Sequence, residues 1–156
     1  MAPLEPWEKV LVDLVAFGED KHSNMSCTGC HGGADTLDKE AAHADMVSDP
    51  SAGGEQCTAC HSDVTATFET SLHATQEGYW TAIDARSTPE DHPELEEMFG
   101  NHCASCHTTC GDCHVSQPNS VGGGLIEGHV FNQTPSMTRN CTACHGSRVG
   151  SEYLGK

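Results

Sequence analysis

Apolar positions recur at helical spacing in three stretches of the chain, and each predicts a helix. From Pro6 to Phe17, the side chains of Trp7, Val10, Leu11, Leu14 and Val15 fall on one stripe. Pro6 suits a first helical position and Gly18 the position just past a helix end, so residues 1–18 read as an N-terminal amphipathic helix ahead of the remaining unit, 19–156. From Ser62, a good N-cap, to His73, the residues Val64, Phe68 and Leu72 stand at i, i+4 and i+8, with His73 at the edge of that face. From Pro93 to Asn101, Leu95, Met98 and Phe99 share a side with His102, while Glu94, Glu96 and Glu97 suit the positive end of the helix dipole. The face that His102 continues needs something flat and apolar to pack on. Pro118 to Gly128 reads as loop.

Composition makes those helices hard to support by side chains alone. The 156 residues fit one domain by size, yet only 36% are apolar and 5% aromatic, and ten of the apolar residues are cysteines. Without the cysteines the apolar share falls to about 30%, thin for a self-sufficient core. The balance of 23 acidic against seven basic residues gives a net charge of −16. Such a surface argues against nucleic acid, whose phosphates need Lys and Arg, and favours partners with basic docking surfaces that let go as salt rises. The longest apolar run, Val10 to Phe17, is short and broken by Asp13, so no membrane span is predicted. Met1-Ala-Pro-Leu-Glu lacks the basic and apolar regions of a signal peptide.

The cysteines explain what replaces the core. They fall in five Cys-x-x-Cys-His motifs: Cys27/Cys30/His31, Cys57/Cys60/His61, Cys103/Cys106/His107, Cys110/Cys113/His114 and Cys141/Cys144/His145. This is the attachment signature of c-type haem, in which two thiols add to the vinyl groups of one porphyrin and the following histidine lies under the iron. Disulfides, zinc knuckles and thioredoxin-like pairs would also use paired cysteines, but none requires the fifth position. With 11 histidines in 156 residues, five such histidines in five motifs arise by composition about once in a million. Five covalently attached haems then leave about 31 residues each, enough for wrapping loops and short helices, and the haem-free chain is expected to be largely unfolded. The third and fourth motifs are separated only by Thr108 and Thr109, and the three steps from His107 to Cys110 span roughly 11 Å at most, so their haems must be close neighbours. The glycines of Gly122 to Gly124 lack the lysine of a phosphate loop and are read as letting backbone approach a porphyrin.

Six histidines lie outside the motifs: His22, His43, His73, His92, His102 and His129. Five haems need five ligands on their second side, and histidine is seldom plentiful without a metal or titration role. His22, His43, His73, His102 and His129 are the candidates. His92 precedes a proline among Pro89, Glu90 and Asp91 and is taken as the solvent-facing surplus. Met25, Met46, Met98 and Met137 are competing ligands that would raise a haem's potential.

From His22 to His145 these motifs resemble the multihaem c-type cytochromes of respiring bacteria and archaea. The resemblance implies a pentahaem electron-transfer domain over 19–156, mostly irregular with a few short α-helices and almost no β, built round a haem-based core. It implies bis-histidine iron at low, spread-out potentials, haems in stacked and T-shaped contact, and a periplasmic or extracellular location, because attachment of this kind takes place outside the cytoplasmic membrane and an export signal is then removed. The function implied is electron transport between redox proteins along closely spaced haems, in respiratory or extracellular electron transfer, with no catalytic residues. Similar proteins also polymerise into extracellular filaments, or nanowires, which would make this chain a homopolymer subunit. The alternative is a multihaem reductase of a small oxyanion or nitrogen oxide, or the electron-input portion of one. That requires an iron open on one side and nearby proton donors, and some related nitrite reductases use a lysine where all five motifs here carry histidine.

Overall fold

The computed structural model describes residues 4–47, 49–103 and 108–146, the side chains of His102 and Cys103 excepted. Nine α-helices are found among the described residues, most of a single turn or two: α1 (Leu14–Glu19), α2 (Cys27–His31), α3 (Lys39–His43), α4 (Glu55–Glu69), α5 (Leu72–Thr75), α6 (Glu77–Asp84), α7 (Glu94–Met98), α8 (Cys110–His114) and α9 (Thr142–His145). Wide helical turns over Phe99–Cys103 and Met137–Cys141 adjoin α7 and α9. Helix of all kinds makes up 58% of the structure, so a mostly irregular chain is corrected to one made mostly of short helices. Strand is almost absent: the one bridge among the described residues pairs Ser116 with Leu125.

The N-terminal helix expected over residues 1–18 is not continuous. A tight turn at Glu8–Val10 gives way to extended backbone at Leu11, and α1 begins only at Leu14. Asp13 explains the break. Its carboxylate accepts from the amides of Val15 and Ala16, capping α1, while its own amide donates to Gly128 O at 2.9 Å. The amide of Leu125 likewise donates to Lys9 O at 2.8 Å. The apolar stripe is thus divided between the first turn (Val10), extended backbone at Leu11 that runs beside the 122–128 loop, and α1 (Leu14 and Val15), and Gly18 lies inside α1. The loop's glycines serve this pairing. A Cβ on Gly124 would stand 2.9 Å from Lys9 Cβ, one on Gly128 would stand 2.6 Å from Asp13 Cβ, and both have positive φ.

The helix expected from Ser62 to His73 begins earlier and ends sooner. α4 starts at Gly54 in the left-handed region, runs through the second motif and stops at Thr70, and Ser71 then caps α5, which carries His73. The helix expected from Pro93 is present as α7 and runs on through Phe99–Cys103. α6 was not foreseen, and it packs Trp80 against Phe99 with ring centres 4.7 Å apart.

The interior is where a core is missing. No large side chain among the described residues is fully buried, and the accessible surface is 11181 Å². A compact monomer of 16.6 kDa would expose about 7600 Å². What is buried is largely polar and structural. Asn140 Nδ2 donates to Asp112 O (2.6 Å) and Ser116 O (2.8 Å) while its Oδ1 accepts from the Ser136 amide (2.9 Å), tying the turn before α9 to α8. Ser51 Oγ donates to Thr109 Oγ1 at 2.7 Å and ties the approach to α4 to the cap of α8. The chain therefore closes on itself through backbone and hydroxyl contacts between the motifs.

Candidate functional site

Each described motif is a helical turn, which brings its two cysteines, three residues apart, to one side of the backbone. Ser26 caps α2 by accepting from the Gly29 amide at 3.1 Å. Thr109 caps α8 in a reciprocal box with Asp112, whose carboxylate accepts from the Thr109 amide at 3.0 Å. In α4 the turn breaks at its own histidine, His61, with φ −120° and ψ 37°. After His31 and His145 the chain turns away through Gly32 (φ 66°, ψ −154°) and Gly146 (φ 60°, ψ −160°), nearly the same conformation at both motifs and one that favours glycine. For the third motif, Cys106 and His107 lie outside the described residues, as do the side chains of His102 and Cys103.

Three motif histidines each face one histidine from elsewhere in the chain. The ring centres of His31 and His129 are 5.8 Å apart, those of His61 and His22 6.2 Å, and those of His145 and His73 6.2 Å. Two imidazoles bound end-on to opposite sides of one metal ion, with bonds of about 2.0 Å and each ring centre about 1.1 Å beyond its nitrogen, would stand roughly 6.2 Å apart. Each pair could hold one ion. Among the described residues no three His, Cys, Asp or Glu side chains converge in the manner of a closed metal site.

Two of the pairs meet at an aromatic cluster. Phe131 stacks on His22 at 4.2 Å and packs edge-on against His129 at 5.4 Å, and Phe17 also packs against His129, at 5.1 Å. Half of each pair's separation plus the two steps through Phe131 bounds the distance between the pairs' midpoints at about 16 Å. His129 sits at φ 84°, an uncommon conformation for a residue with a side chain, which aims its ring into this cluster.

Hydrogen bonds orient several of these rings. His22 Nδ1 lies 2.8 Å from Asp20 Oδ1, His43 Nδ1 2.7 Å from Lys39 O, and His114 Nδ1 2.7 Å from Asn132 O. A proton held on Nδ1 by such an acceptor leaves Nε2 as the lone-pair donor, the usual arrangement around metal-binding histidine. Burial, reinforced by the neighbouring His129, pushes His31 below its ordinary value. At Asp20 burial acts to raise the carboxyl, but donation from the His22 and Phe131 amides and from the His22 ring outweighs it, and the carboxyl lies below its usual range.

The cysteine sulfurs of different motifs are neighbours. Burial pushes the Cys57 thiol up, helped by the nearby Cys110 thiol and more weakly by Cys30. Burial likewise raises Cys113 to about 11, with Asp112, Cys141, Cys110 and Cys144 contributing. The first, second, fourth and fifth motifs thus form a continuous spatial series, while Cys27 and Cys60 are exposed.

His43 is exposed, and its ring bonds to the Lys39 carbonyl of its own helix. His92 is exposed and lies 3.3 Å from Glu94, in keeping with the surplus role. Met25, Met46 and Met98 are exposed. Asp20, Phe17, Phe131, Asn132 and Asn140 escape sequence reasoning. The one available signal is proximity in sequence, since Asp20 and Phe131 each stand two residues from a free histidine. No helix among the described residues is long and apolar enough to cross a membrane. Comparison with protein-family models, with curated proteins and with solved structures found no match.

Proposed function

We propose that this chain is a multihaem c-type cytochrome whose role is to pass electrons along five bis-histidine haems. The observation that carries the reading is the facing of three motif histidines by three free ones at 5.8–6.2 Å, which suits a single iron between each pair. Porphyrin iron takes four ligands from its own ring and needs only two from protein, so pairs are the donor sets this group calls for. The exposed interior, with no fully buried large side chain among the described residues, supports it from the side of packing.

On this reading Cys27 and Cys30 clamp the first haem between His31 and His129, Cys57 and Cys60 the second between His61 and His22, and Cys141 and Cys144 the fifth between His145 and His73. Cys110 and Cys113 hold the fourth over His114, and Cys103 and Cys106 the third over His107, with His43 and His102 left as ligands for these two. Bound there, haem iron supplies reversible one-electron oxidation and reduction. The protein's part would be to offer a histidine from each side of each haem, leaving no iron site for substrate, and to keep the centres close. Imidazole on both sides and carboxylates around the site favour the ferric state and a low potential. Attachment of this kind implies a periplasmic or extracellular protein with redox partners that carry basic docking surfaces.

The exposed apolar run Trp7, Val10, Leu11, Leu14 and Val15 favours one addition to this reading, a surface for stacking copies of the chain into a filament. Electron microscopy of the purified protein distinguishes filament from soluble carrier. The primary test is the intact mass of the mature protein together with its ferric spectrum. Five added haems and purely low-spin iron are expected, and fewer than five would overturn the proposal. Binding of carbon monoxide or nitrite to the reduced protein would point instead to a reductase.

A further inference from the structure

The two imidazole pairs that share Phe131 differ in what lies behind them. At His22, the free histidine of one pair, Nδ1 meets the carboxylate of Asp20 at 2.8 Å, and the same carboxylate accepts from the His22 amide at 2.9 Å and, through its second oxygen, from the Phe131 amide at 2.8 Å. The Asp20 side chain is only 7% exposed. At His129, the free histidine of the neighbouring pair, Nδ1 is buried with no hydrogen-bond partner among the described residues. A carboxylate accepting the Nδ1 proton makes an imidazole a stronger base and places a negative charge beside the metal, and both favour the more oxidised ion. A buried Nδ1 without an acceptor does neither. Backbone carbonyls behind His43 and His114 are intermediate cases.

We propose that Asp20 is a positioning residue that holds the His22/His61 centre at a lower redox potential than the adjacent His129/His31 centre, so that electrons step downhill from the second motif to the first. In that step one ferrous iron at His22/His61 becomes ferric and one ferric iron at His129/His31 becomes ferrous. No bond or proton moves. Three donors on one carboxylate hold it in place behind the His22 ring. The idea rests on the electron-transfer reading above, and deepens it by giving the chain a direction.

The test is a spectroelectrochemical titration of the complete five-haem protein. Replacement of either free ligand by methionine, H22M or H129M, raises the potential of its own centre and so marks which wave is which. The wave marked by H22M should lie below the one marked by H129M in the unsubstituted protein. Asp20→Asn should move only the lower wave upward, changing the electron distribution between the two centres about tenfold, which is about 59 mV for one electron. Asp20→Glu should restore it. An Asp20→Asn protein with five haems and an unmoved lower wave would overturn the proposal, as would a reversed order of the two waves. If Asp20→Asn fails to take up five haems, the order of the two marked waves in the native protein decides. Too few haems on the unsubstituted protein would instead sink the functional reading beneath it, so the two failures are distinguishable.

Discussion

A histidine serves a metal well when its proton is parked on one nitrogen and the other is aimed, and that places strict demands on single residues here. His73 faces His145 at 6.2 Å with the rings at 89°, the one ring pairing of His145 among the described residues. On the proposed reading, His73→Ala should therefore leave one iron with a single protein ligand. The expected outcome is one high-spin haem of five and carbon monoxide binding limited to that fraction, measured by electron paramagnetic resonance and optical titration. Asn140 makes the complementary demand on packing. It is 5% exposed and satisfies three backbone groups from two segments. Asn140→Ala leaves buried carbonyls without donors, at about 1–3 kcal/mol each where water cannot reach them. Chemical denaturation of the haem-loaded protein should show a loss of this order, with the redox potentials little changed.

At the scale of elements, a helical turn presents the cysteines and histidine of each described motif, with a side-chain cap at α2 and α8 and a sharp glycine turn after His31 and His145. Ser26→Ala removes the Gly29 hydrogen bond at α2 and should cost about 1 kcal/mol. The glycines after the histidines give a sharper comparison. Gly32 and Gly146 adopt nearly the same positive-φ conformation, so alanine is strained at both by about 1–3 kcal/mol. At Gly32, however, a Cβ would run into the Asp45 carbonyl, whereas at Gly146 it meets open space. Gly32→Ala should therefore destabilise more than Gly146→Ala, and parallel denaturation curves of the two variants measure the difference. This scale is also where reading from pattern erred. Trp7, Val10, Leu11, Leu14 and Val15 have helical spacing, but Asp13 is worth more as the cap of α1 and as a partner of Gly128 than as a residue inside a longer helix. Periodicity records which residues are apolar, and it cannot weigh a hydrogen bond to a loop more than a hundred residues away.

For the whole molecule, the decisive quantity is the surface left uncovered. An exposed area of 11181 Å² with no fully buried large side chain among the described residues cannot balance the conformational entropy of ordering a chain this long. On the proposed reading, the binding free energy of the haems becomes folding free energy. Expressed without haem attachment, the chain should show the far-ultraviolet circular dichroism of a largely unfolded protein and rapid proteolysis, while the five-haem form resists both. A stable, helical haem-free chain would contradict this. The sequence alone determined the count of candidate groups: five Cys-x-x-Cys-His motifs and six further histidines are local features, and on the proposed reading their spacing is the one a porphyrin imposes on adjacent residues. It also determined the shortage of apolar side chains. Which histidine faces which was decided only by the tertiary structure. The pairs join segments far apart in the chain, which the Asn140 and Ser51 ties, the Phe131 cluster and the turns at Gly32 and Gly146 help to set, and none of these has a spacing that a one-dimensional pattern can carry.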